Sequence, residues 1–217
     1  VIKKSDKYDS SVEKIKNFFD SSKAYLNEPN PNPVSLPYKA MSPVFIGEAT
    51  VFLHANEEKQ IKDGVKFLQD QKIKNIVVVG GTNSLEAADF MSKNNIKIAL
   101  EQPHNLPSME DEDVKSRFRL ASQLINKGVT VAVDPTGAMT RMNTRNLPFF
   151  AGSFSAYGVE KEKAVETITL NAAKVLGIEH NYGSIEVGKS ATLFISHGDA
   201  LDMRTNNLSH AYIDGRE

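Results

Sequence analysis

Between Val51 and Val133 short β-prone runs alternate with amphipathic stretches, and this alternation constrains the fold more than any other feature. Val51, Phe52 and Leu53 open the series, and a stretch with Ile61, Val65 and Leu68 on one helical face follows. The unbroken run Ile76 to Val79 has the character of a strand buried on both faces. Then come a helix around Leu85, Ala88 and Met91, the run Ile96, Ile98, Leu100, and a helix with Val114, Phe118, Ala121 and Ile125. Val129, Val131 and Val133 close the series. Strands alternating with helices of this length predict βα units around a parallel sheet. Two architectures satisfy the pattern, a small open sheet or part of a (β/α)8 barrel. A whole barrel takes about 250 residues. With 217 residues and only about four strand–helix units, the chain cannot close one alone.

The flanks are patterned differently. Val12, Ile15 and Phe19 predict an amphipathic helix, and the Pro/Asn-rich stretch from Asn27 to Pro37 then breaks all periodicity. Near the other end, Val165, Ile168, Ala172, Val175 and Leu176 lie on one helical face, and Gly177 stands where a left-handed cap would stop the helix. Ile185 and Val187 alternate with Glu186 and Lys189, Gly188 supplies a turn, and Thr192 to Ile195 is β-prone. This predicts a β-hairpin or meander.

Composition excludes several classes of function. At 40% hydrophobic, 24% charged and net charge -1, the chain has the make-up of a soluble globular protein with a full core. Lys and Arg number 26 against 27 Asp and Glu, so no basic excess points to nucleic acid. No apolar run approaches the roughly 20 residues of a membrane span. Cysteine is absent, which removes disulfides, thiolate metal ligands and cysteine nucleophiles. The chain opens on Val1, Ile2, Lys3 and Lys4 and reads as an excised piece, so localisation stays unknown.

One further pattern is more specific. The order Asn171, Ala172, Ala173, Lys174, Val175, Leu176, Gly177, then Gly183, Ser184, Ile185, Glu186, Val187, Gly188, Lys189, then Ala191 to Ile195 and Ala211 to Arg216, resembles the end of amidohydrolase-superfamily enzymes. The resemblance is particularly to the imidazolonepropionase-like branch. Arg145, Asn146, Leu147 and Pro148 also resemble that family, and the likeness runs from about Met41 to Arg216. The resemblance implies an α/β chain forming the second half of a (β/α)8 TIM-type barrel, followed by a small β segment of a composite β-sandwich domain. The partial barrel would occupy 1–177 and the β segment 178–217. It implies hydrolysis of a non-peptide carbon–nitrogen bond, a cyclic amide among the candidates, by water activated on a divalent metal such as zinc. A small-molecule substrate and the absent N-terminal half of the barrel become the expected partners, and this piece alone is expected to be inactive.

Candidate site residues follow from strand ends, since barrel active sites lie at the C-terminal ends of the strands. His54 follows Val51 to Leu53, where the resemblance places a metal-binding histidine; hydrogen bonding to a neighbouring strand, or capping of the helix near Glu57, is the alternative. The family's His-x-His pair is not found, and Gly80, Gly81 and Thr82 stand where its strand-six histidine is expected. Asp134 is the catalytic candidate, a carboxylate suited to taking a proton from water, although the expected position falls nearer Thr136; the alternative is a turn cap. His104, after Glu101, Gln102 and Pro103, and Arg145 are substrate-binding candidates, with a solvated loop and a helix start as their structural alternatives. The stretch Gly80 to Ser84 fits neither dinucleotide nor P-loop spacing. His180, His197 and His210 read as surface or packing residues. Two other functions stay open: a metal-depleted barrel serving binding or assembly, and a self-contained open-sheet binding domain. In a half-barrel an unpaired strand edge favours an oligomer.

Overall fold

The structure, a computed structural model, describes residues 6–106, 112–136, 142 and 144–217. Its chain divides into two compact units, one formed by residues up to Val51 with Phe67–Asn75, the other by Phe52–Lys66 and Ile76–Glu217.

In the first unit α1 (Tyr8–Asn27) is followed by two short helices, α2 (Leu36–Ala40) and α3 (Ser42–Ile46). Pro37 and Pro43 each sit in a first turn, where the missing N–H is no loss. Phe19 packs edge-on against Phe45 and Phe67, and Tyr38 lies against Phe18 and Tyr25.

The second unit is organised by the parallel sheet. Its strands are β1 (Val51–Glu57), β2 (Ile76–Asn83), β3 (Lys97–Glu101) and β4 (Val131–Asp134), in the order β1-β2-β3-β4. The crossovers are α4 (Glu58–Asp70), which passes from the second unit into the first, α5 (Ala88–Lys93) and α6 (Ser116–Asn126). Register pairs Val79 with Ala99, Ala99 with Ala132, and Glu101 with Asp134. Each strand lies beside the next in sequence without reversal, whereas an open doubly wound sheet reverses at a switch point. The sheet is therefore an arc of a barrel. Val78, Ile98, Leu100 and Val131 are fully buried on one face. On the other, Val77, Ala99 and Ala132 receive Ala172 and Val175.

Beyond β4 the chain forms α7 (Leu147–Ala156), α8 (Lys161–Glu166) and α9 (Leu170–Leu176). The single helix predicted across Val165 to Leu176 is broken at Thr167–Thr169. The Thr167 hydroxyl donates to the Ala164 carbonyl and that of Thr169 to Val165, local bonds that compete with helix continuation. Gly177 ends α9 in the left-handed region, at φ 72°.

The predicted hairpin near Ile185 does not form. Gly183 and Gly188 have positive φ, Lys189 Nζ donates to Ser184 Oγ at 2.6 Å, and Ile185 and Val187 are exposed outside any strand. The antiparallel pair is instead β5 (Leu193–Ser196) with the more distant β6 (Leu208–Tyr212). Val114 likewise lies outside α6 and is exposed.

Candidate active site

Backbone geometry places the strand-end groups. A Cβ at Gly64 of α4 would lie 2.7 Å from Leu53 Cδ2, so Leu53 faces the helix layer and Phe52, His54 and Asn56 face away from it. The Val51 N–H donates to the Asn75 carbonyl, which along a parallel ladder sets His54 level with Val79. His54, Val79, Ala99 and Ala132 therefore form one row on the face opposite α4, the face on which α9 packs through Ala172 and Val175, and Glu101 and Asp134 stand two residues further along it. Strands lie about 4.8 Å apart, so Glu101 and Asp134 are neighbours while His54 stands three strand steps from Asp134.

Local partners occupy most of these groups. The Asp134 carboxylate accepts from the Thr136 N–H at 3.0 Å and from the Thr136 hydroxyl, closing a turn. Glu101 accepts from the Asn105 amide, whose oxygen accepts from Gln102 Nε2 at 2.8 Å. Asn83 Nδ2 donates to Glu57 at 2.8 Å, and Gln60 Oε1 accepts from the Asn56 and Glu57 N–H groups. Gly80 has φ 97°, and a Cβ there would meet Asn56 Oδ1 at 2.6 Å, so this position excludes a side chain. His54 itself is exposed, within β1 rather than beyond its end, because the strand continues to Glu57.

His104 belongs to an aromatic cluster. Its ring lies 5.3 Å from Phe150 and 5.6 Å from Phe118, which stacks on Tyr157 at 4.8 Å. His104 Nε2 lies 2.8 Å from Ser153 Oγ, which also reaches the Phe149 carbonyl at 3.0 Å. Partial burial holds the imidazole below its usual pKa. Arg145 is exposed in a 3-10 turn, Thr144–Asn146, immediately before α7.

The chain therefore gathers Glu101, Asp134 and His54 on one face but converges no three of them. Among the described residues, no cluster of three or more His, Asp or Glu can hold a metal ion. The donors present do not fit a metal site without further ligands. A cavity of about 530 Å³, lined by Tyr25, Leu26, Pro31, Val34 and Lys39, belongs wholly to the first unit and contains none of the strand-end groups. Sequence reasoning missed Ser153 as the partner of His104, and Asn171, buried against β4. A polar residue on the otherwise apolar face of α9 was the available signal for Asn171.

Among the described residues no helix is long and apolar enough to cross a membrane. The amidohydrolase family model matches residues 46–217. Among solved structures, an amidohydrolase from Thermotoga maritima MSB8 is 22% identical with a TM-score of 0.77, covering 94% of this chain and 52% of that one. An adenosine deaminase from Xanthomonas campestris with bound zinc is 17% identical, TM-score 0.59, covering 93% and 55%. A Xaa-Pro dipeptidase with methionine in its active site is 20% identical, TM-score 0.58, covering 77% and 44%. No curated protein matches. The chain thus spans about half the length of these solved proteins, and at such identities they speak for the fold. With the family model extending over most of its length, on an unreversed arc of parallel strands, this chain belongs to the amidohydrolase family.

Proposed function

We propose that this chain is the later half of a longer hydrolase that cleaves carbon–nitrogen bonds, with cyclic amides as one suitable substrate class. The family match over residues 46–217 carries this reading. It agrees with an arc of parallel strands that carries His54, Glu101 and Asp134 on one face toward the C-terminal strand ends, where barrel active sites lie. A Xaa-Pro dipeptidase stands among the similar structures, so peptide bonds remain within the class.

In this reading Asp134 accepts a proton from the attacking water, exchanging its bonds to Thr136 for that role. Arg145 offers an exposed guanidinium to an anionic substrate group, and His104 lines the same mouth from the loop after β3. His54 is one metal donor of a set that the described residues do not complete. A second reading, a metal-depleted module for binding or assembly, is favoured by the glycine at position 80, whose side-chain space Asn56 fills.

The natural full-length polypeptide decides between them. Its metal content is measured after purification with zinc or manganese, and hydrolysis is assayed on cyclic amides, N-acyl compounds and dipeptides. The hydrolase reading predicts bound metal and a loss of about hundredfold or more in kcat/KM for Asp134→Asn. Absence of turnover together with absence of stoichiometric metal would establish the depleted module.

A further inference from the structure

Gln102 is a buried polar residue, 8% exposed, and it is the first residue after β3, between Glu101 and Pro103. Its backbone is fixed on both sides. The Gln102 N–H donates to the Asp134 carbonyl at 2.9 Å, which carries the β3–β4 ladder one residue past β3, and the fully buried Pro103 that follows biases Gln102 to extended backbone.

Both ends of its side chain are engaged. Gln102 Oε1 accepts from the His104 N–H at 2.8 Å, and Gln102 Nε2 donates to Asn105 Oδ1, also at 2.8 Å. The Asn105 amide nitrogen in turn donates to the Glu101 carboxylate. A backbone N–H can only donate and a carboxylate can only accept, so neither amide can be turned over without losing its bonds. The chain of bonds therefore runs one way, from His104 through Gln102 and Asn105 to Glu101, whose register partner is Asp134. A buried amide is tolerated when its polar atoms are satisfied, and this one directs them to the two residues that flank the strand-end groups.

We propose that Gln102 is a positioning residue of the strand-end site, one side chain that sets both the His104 segment and, through Asn105, the Glu101 carboxylate. The His104 ring is held separately, by Ser153, Phe118 and Phe150, so Gln102 governs where the backbone carries that ring. The effect on substrate rests on the reading of His104 as a substrate-binding residue; the effect on the loop does not. Two variants separate the ends of the chain of bonds. Gln102→Leu fills much of the same space without donor or acceptor, whereas Asn105→Ala frees Glu101 and leaves the His104 bond in place.

Residue-resolved amide hydrogen exchange of the 217-residue chain reads the loop. In the unaltered chain the His104 amide should exchange about tenfold or more below the rate of an unstructured peptide. Gln102→Leu should speed it by about tenfold and Asn105→Ala should leave it nearly as slow, with Ile98 of β3 unchanged in both. A His104 amide as fast as unstructured peptide in the unaltered chain would overturn the proposal, a result that needs no variant to fold. Equal acceleration of Ile98 and His104 in Gln102→Leu would show general destabilisation and overturn it too. Kinetics of the natural full-length polypeptide then read the site. On a substrate it hydrolyses, Gln102→Leu should raise KM about tenfold with kcat within about threefold, the mark of lost binding. An unchanged KM would reduce Gln102 to a loop staple and overturn its role at the site. Absence of turnover on every substrate class counts against the hydrolase reading, and the exchange rates alone then decide whether Gln102 sets the loop.

Discussion

Replacing Gly152 by alanine should destabilise this protein, although helix propensity alone predicts the opposite. Gly152 lies inside α7, where alanine is favoured over glycine by about 1 kcal/mol. Its open side faces backbone. A Cβ at this position would sit 2.2 Å from the Leu201 carbonyl oxygen and 3.2 Å from the carbon, about 1 Å inside ordinary van der Waals contact. Neither partner yields easily. Ala151 and Phe154 beside it are fully buried, Leu201 is nearly so, and the Leu201 N–H is tied to Asp199, which pairs with Lys161 at 2.8 Å. Overpacking of this kind costs about 1–3 kcal/mol and sits toward the upper end when the obstacle is main chain. Subtracting the propensity gain leaves a net loss of about 1–2 kcal/mol, or about 3–6 °C in Tm for a chain of this size. Urea and thermal unfolding followed by circular dichroism measure it. A variant as stable as the parent, or more so, would refute the close approach and with it the docking of α7 on the Leu201 segment.

Other consequences are equally direct. The Ser84 hydroxyl is buried with no hydrogen-bond partner among the described residues, so Ser84→Ala should stabilise by about 1 kcal/mol in denaturant titration; a loss of that size would reveal a partner for the hydroxyl. Glu160 caps α8 by accepting from the Glu162 and Lys163 N–H groups, which hold its carboxyl below the usual range. Its folded pKa is depressed, so its contribution is present above about pH 4.3 and fades as pH falls through the folded value. Glu160→Gln should flatten that acid limb in a Tm-against-pH series, and an unchanged slope would remove the cap. His104 is also depressed, but by burial of an imidazole: the unfolded chain takes up the proton first, so stability falls as pH drops below about 6.5. His104→Phe should lose this dependence between about pH 5 and 7; its persistence would place the titrating group elsewhere.

Much of the architecture was legible in local pattern. Apolar runs bounded by helical periodicity marked the four strands of the sheet, Gly177 marked the end of α9, and the motif from Asn171 to Lys189 carried the family resemblance. The site was legible only as candidates. Whether His54, Glu101 and Asp134 share a face depends on register between strands, and whether Asp134 is free depends on where the turn aims the Thr136 hydroxyl.

The amino-acid order alone settled which segments become strands or helices, because periodicity and capping act within a few residues. Folding in three dimensions settled which strands adjoin, that β5 passes over the nearby turn to pair with β6, that Gly152 meets Leu201, and that the Asn171 amide reaches the Val131 carbonyl across 40 positions of chain. Such partners are chosen by shape and by the requirement that buried N–H and C=O groups be satisfied, and neither leaves a repeating mark in the residues concerned.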